Sequence, residues 1–133
     1  MRDKMRILVG YDASLQSKKA LSEAVALASD FFGFVKVISV YGKGMRERAE
    51  LNVIEVKEVL NREKVAHDVE LVLGSNPAKV LELAAKRENF DLIVVGSRGL
   101  GNTVSMLLGS VSRHVVTNAQ CNVLVTKNSN LIF

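Results

Sequence analysis

The chain has 133 residues, 48% apolar and 24% charged, with one proline and a formal charge of +4. That length and balance specify one ordinary globular domain, residues 1–133, and no apolar run approaches the roughly eighteen residues of a membrane span. Cys121 alone excludes an internal disulfide and suits a cytoplasmic protein, and the run after Met1 lacks the cleavage site of a secretory signal. The basic residues are interleaved with acids and carry no aromatics between them, which argues against nucleic-acid binding.

"RILVGY" (6–11) is a short β-rich run and reads as a strand buried on both faces. Ser14 offers a helix cap, Leu21, Ala24, Val25, Ala28 and Phe32 recur at helical spacing, and Gly33 is placed to stop that helix. "FVKVISVY" (34–41) is a second strand, with "GKG" a loop after it. Residues 46–63 put Val53, Val56, Val59 and Leu60 on one helical face. "HDVELVLG" (67–74) alternates as a third strand. Asn76 as cap and Pro77 at the first helical position open the next helix. "DLIVVG" (91–96) is a fourth strand, "SVSRHVVTNAQ" (110–120) a helix, and "CNVLVTK" (121–127) a fifth strand, while the tail "NSNLIF" is left unassigned. The alternation predicts an α/β fold: a single doubly wound, mostly parallel five-stranded sheet with helices on both faces, Rossmann-like in layout. Ligands of such sheets bind beyond the carboxyl ends of the strands, where the strand order reverses. "YDAS" (11–14) and the stretch after the fourth strand both lie at such ends.

That second stretch, "GSRGLGNTVSMLLGS" (96–110), is the chain's most glycine-rich segment. Gly96, Gly99 and Gly101 allow positive φ and close backbone approach, and successive N–H groups in such a loop form a nest for phosphate oxygens. Gly109-Ser110 then opens a helix whose free N–H groups and dipole favour an anion, with the hydroxyls of Ser110 and Ser112 and the charge of Arg98 as added donors. The residues alone leave a plain turn and a phosphate site both open. A Walker loop is absent, since no lysine follows a glycine at its spacing. So is a dinucleotide fingerprint, since "GYDASLQS" occupies its place after the first strand.

The spacing Gly96-x2-Gly99-x9-Gly109-Ser110 resembles the nucleotide signature of the ATP-binding branch of the universal stress protein family, an adenine nucleotide alpha-hydrolase-like fold. "ILVGYDAS", "VISVY" and "CNVLVTK" are similar to that family's opening turn, second strand and closing strand. The resemblance implies adenine contacts at Gly10, Asp12 and Val40. It implies ribose and phosphate contacts at Gly96, Ser97, Arg98, Gly99, Asn102, Gly109, Ser110, Val111 and Ser112. The implied ligand is ATP, or ADP or AMP, with Mg²⁺ held through the phosphates. It also implies a homodimer through the last strand, 121–127, where Val123 and Val125 would line an unpaired edge, and a regulatory partner of unknown identity. Two departures stand out: Asn122 where members often carry proline, and a short segment of about 25 residues between Gly42 and Ala66.

The implied function is nucleotide-dependent regulation or stress response. The alternative is a slow ATPase or nucleotidyl-transfer enzyme, disfavoured because residues 89–133 contain no glutamate and only Asp91 as an acid, at the start of a buried strand. An enzyme would have to use Asp12 or His114; the bland reading of His114 is a helix-face residue, and of Cys121 a small buried hydrophobe.

Overall fold

The computed structural model describes residues 4–97 and 108–127. The elements are β1 (Arg6–Gly10), α1 (Leu15–Phe31), β2 (Phe34–Tyr41), α2 (Arg46–Arg62), β3 (Ala66–Leu73), α3 (Pro77–Arg87), β4 (Leu92–Gly96), α4 (Ser110–Asn118) and β5 (Asn122–Thr126). The sequence-predicted elements are all present. The first, fourth and fifth strands are each a residue or two shorter, as the ladder frays where the chain turns.

The strands form one sheet in the order β3-β2-β1-β4-β5, with every pairing parallel. The chain runs outward from β1 to β3, then crosses back over β1 to β4. A right-handed crossover keeps helices on one face until that reversal and puts later ones on the other. Accordingly Ile7, Val9, Val35, Val37 and Val94 pack under α1 and α2, and Leu8, Ile38, Ile93 and Val95 under α3 and α4. Successive residues of β1 thus feed two cores, which is why the run reads as continuously apolar rather than alternating. At about 25 cal/mol per Å² of apolar area, these two layers hold the fold together.

Helix ends follow the local chemistry, with one correction. Ser14 Oγ accepts from the Ser17 N–H (3.2 Å), and Asn76 Oδ1 from the Lys79 N–H (3.1 Å). The left-handed residue that stops α1 is Phe32 (φ 52°), not the glycine expected there. Gly33 is required for space instead: a Cβ there would stand 2.8 Å from the Met5 carbonyl oxygen.

The amino ends of the strands are closed by a polar knot. Lys36, 7% exposed, donates from Nζ to Glu70 (2.9 Å) and to both carboxylate oxygens of Glu88 (3.1 and 3.0 Å). The Arg6 guanidinium stacks over Phe34 and Phe90 at 5.0 and 4.7 Å, and its Nε donates to the Glu88 carbonyl. Burial lowers the Lys36 pKa, but hydrogen bonds and charge from Glu70 and Glu88 outweigh it, so the net shift is upward. An ammonium with a raised native pKa stabilises fully below its ordinary value of 10.5, and that stabilisation is lost as pH rises through the native value. Lys36→Met is therefore expected to cost about 1–2 kcal/mol at neutral pH, a figure discounted because the acids reach water. In urea unfolding the gap from wild type should narrow only in strongly alkaline buffer. A gap already closing between pH 6 and 9 would contradict this assignment.

Candidate functional site

β1 and β4 are neighbours whose following helices leave on opposite faces, so a crevice opens beyond their carboxyl ends. It holds a pocket of about 340 Å³. Of the residues singled out in the sequence, Gly10, Asp12, Val40, Gly96, Gly109, Ser110, Val111 and Ser112 line it. Ser97 is buried and does not line it. Arg98, Gly99, Gly101 and Asn102 fall outside the described residues, as does the tail 128–133.

One half of the pocket is apolar: Ile38 and Val40 from β2, Leu81 from α3 and Val95 from β4. The other half is built from helix starts. Ser14 and Ser17 come from the first turn of α1, Pro77 from that of α3, and Ser110–Ser112 from that of α4. Three positive dipole ends thus face one space. They are not equivalent, because α1 and α3 have side-chain caps and α4 has none. The N–H groups of its first turn have no intrahelical acceptor, which leaves them available to an anion.

α4 is fixed in place by Ser97. The Ser97 N–H donates to the Thr126 carbonyl (2.7 Å), and the Ser97 carbonyl accepts from the Gly109 N–H (2.6 Å) and the Ser112 hydroxyl (2.8 Å). Ser112 is 1% exposed, and its hydroxyl hydrogen is committed to that carbonyl and to Gly109 O at 3.2 Å. Its hydroxyl therefore orients the helix start, in place of the donor role expected for it. Ser110 is exposed at the mouth.

The β1–α1 turn is held as tightly. Asp12 Oδ1 accepts from the Ser14 N–H (2.9 Å), and the Asp12 N–H donates to Ser17 Oγ (3.3 Å). Between them Ala13 sits at φ 69°, a left-handed conformation that a non-glycine residue keeps only where its surroundings enforce it. The remaining ionisable lining residue among those described is Tyr11, whose hydroxyl is pushed up by burial and by the Glu55 and Asp12 charges and stays neutral. His114 is exposed on α4, within 3.3 Å of Asn118 Nδ2. Burial pushes up the Cys121 thiol, in keeping with an inert packing residue. Among the described residues no cluster of three or more His, Cys, Asp or Glu offers a metal site, and no helix is long and apolar enough to cross a membrane.

Sequence reasoning missed Tyr11, Ser17, Ile38, Leu81 and Val95 as lining residues, and took Ser14 and Pro77 only as helix starters. A signal existed for those two, since a cap that follows a parallel strand sits at the ligand end of the sheet.

Gly96 has its use, but not the expected positive φ; its backbone is ordinary strand. A Cβ there would lie 2.5 Å from Gln16 Cβ and 2.8 Å from the Gln16 carbonyl carbon. The start of α1 sits directly on this glycine, with Thr126 Oγ1 donating to Gln16 O (3.0 Å) alongside. Gly96→Ala is expected to push α1 away and destabilise by about 1–3 kcal/mol. Chemical denaturation reads this directly, and wild-type stability would mean the α1 start is not seated as described.

The model of the universal stress protein family matches residues 4–127. A universal stress protein of Thermus aquaticus is 35% identical over 133 residues, covering 91% of this chain and 97% of its own length. Among solved structures, a universal stress protein in complex with cAMP superposes with TM-score 0.79 at 24% identity, covering 95% of this chain and 98% of that one. A universal stress protein family protein of Arabidopsis thaliana with AMP bound superposes with TM-score 0.70 at 22% identity, covering 94% and 93%. The five-stranded parallel sheet, the crevice at its switch point and these matches agree: the chain belongs to the universal stress protein family.

Proposed function

We propose that this protein, with residues 1–133 acting as one domain, binds an adenine nucleotide in the crevice between β1 and β4. ATP is the leading ligand and ADP or AMP the alternatives, and the bound state serves as a regulatory or stress-response signal. The observation that carries this is the joining of an apolar slot to an uncapped helix start within one pocket. The slot between Val40, Ile38 and Val95 has the character that a base requires. The N–H groups of Ser110, Val111 and Ser112 offer what phosphates require. Asp12, at the mouth between the two, faces the adenosine part, because its charge repels phosphates. Mg²⁺ would be held through the phosphates. The cAMP and AMP bound by two relatives of the same fold support the reading.

A binding module rather than an enzyme fits the lining, whose only ionisable side chains among the described residues are Asp12 and Tyr11. Regulation further requires that a partner distinguish the loaded from the empty state. Purification without added nucleotide, followed by denaturation and mass analysis of what is released, is expected to yield stoichiometric adenine nucleotide. If the pocket is empty as purified, saturating Mg-ATP should still raise stability, by about 2.7 kcal/mol at a hundredfold excess over Kd. An empty pocket with no thermal shift would contradict the reading.

We also propose a homodimer through β5. The two sheet edges differ: β3 carries Asp68 and Glu70, paired with Lys36, whereas β5 (Asn122–Thr126) carries no charge and presents Val123 and Val125. Charge on an edge blocks strand addition, and its absence permits it. Sedimentation should find a dimer for wild type and a monomer for Val123→Lys at the same concentration. A monomeric wild type would contradict this interface.

A further inference from the structure

We infer that Leu81 sets the depth of the base slot, and that Gly10 is glycine in order to seat it; this rests on the nucleotide reading above. Gly10 ends β1 at the floor of the pocket, and its φ is not positive, so backbone freedom does not explain it. Its environment does. A Cβ on Gly10 would stand 2.7 Å from Leu81 Cδ1, 3.6 Å from Leu81 Cδ2 and 3.3 Å from Val95 Cγ1. The end of the Leu81 side chain therefore occupies the space a residue-10 side chain would fill. Leu81 is 2% exposed, lines the pocket and comes from α3, whose start is fixed by the Asn76 cap and Pro77. Its neighbours around the slot, Ile38 and Val95, are strand residues 2% and 3% exposed, held by the ladder. Among Ile38, Val40, Leu81 and Val95, Leu81 is the one carried by a helix, so its length decides how far a planar base can enter. The structure thus assigns it as a specificity-determining residue of the base subsite.

The test compares wild type, Gly10→Ala, Leu81→Val and the double variant, with affinities for ATP and for its enlarged-base analogue ethenoadenosine triphosphate. Nucleotide-free melting is recorded for each. Gly10→Ala should force Leu81 into the slot and weaken ATP binding by about 10–200-fold, the effect of one carbon too many in an apolar pocket. Leu81→Val in the same chain should restore most of that loss. Leu81→Val alone should shift the ratio of affinities toward the enlarged base, a change that a purely structural role would not produce, since both ligands share the same phosphates. Loss without rescue, in variants that melt well above the assay temperature, would overturn the assignment, as would undiminished ATP binding by Gly10→Ala. Should Gly10→Ala fail to fold, an unchanged ratio in Leu81→Val overturns it on its own. A wild type that binds neither ligand contradicts the nucleotide reading itself; a wild type that binds ATP, with variants that do not couple, contradicts only this inference.

Discussion

β1 and β4, adjacent in the middle of the sheet, each end in a residue with no side chain, and the two bare positions face opposite ways. Gly96 lets the start of α1 settle onto the sheet, to within 2.5 Å of where a Cβ would be. Gly10 lets Leu81 of α3 settle onto the other face, at 2.7 Å. Gly96 thus brings a helix start, and Gly10 a helix side chain, closer to the strand ends than a larger residue permits. A parallel sheet opens a crevice at its switch point by topology alone. Close packing at these two positions shapes that crevice into a pocket of about 340 Å³.

The two ends of the molecule then differ electrically. At the amino ends of the strands two buried or half-buried cations are matched: Lys36 sits among Glu70, Glu88 and Asp68, and Arg6 is stacked on two aromatic rings. At the carboxyl ends the fold gathers three positive helix termini and leaves one of them uncapped. Ser97 links the two halves of that arrangement. Its carbonyl holds Gly109 and Ser112, and its N–H is bonded to β5, so the position of the α4 start is fixed by the protein's own hydrogen bonds. Donors held in place by the protein's own hydrogen bonds need little reorganisation on binding, which is where preorganised sites gain affinity.

The sheet and its helices were legible because the chain alternates short apolar runs with runs of helical period, and that alternation leaves few topologies. "RILVGY" and "DLIVVG" carry no polar alternation because both strands are covered on both faces, and this is visible in a string of letters. The end of the sheet at which the pocket opens was legible for the same reason. Its chemistry was only half legible. Gly109, Ser110 and Ser112 stand out in a glycine- and serine-rich stretch, but Ile38, Leu81 and Val95 have the same letters and spacing whether they line a pocket or fill a core. The reasons for the glycines were the least legible. Gly33 and Gly96 read as turn formers, yet both are there because another backbone lies against them, a fact of tertiary packing that no local pattern contains. Lys36 was likewise lost among the scattered charges, since its partners are 32, 34 and 52 residues away in sequence.

Residue-resolved amide hydrogen exchange with and without Mg-ATP addresses the placement of the ligand most directly. Protection is expected to rise at the α4 start, Ser110–Ser112, and across the Gly10–Asp12 turn together. The Lys36 knot at the far end of the sheet should stay unchanged. Protection spread evenly over the chain, or absent from the α4 start while ATP is bound, would contradict a nucleotide held between these two strand ends.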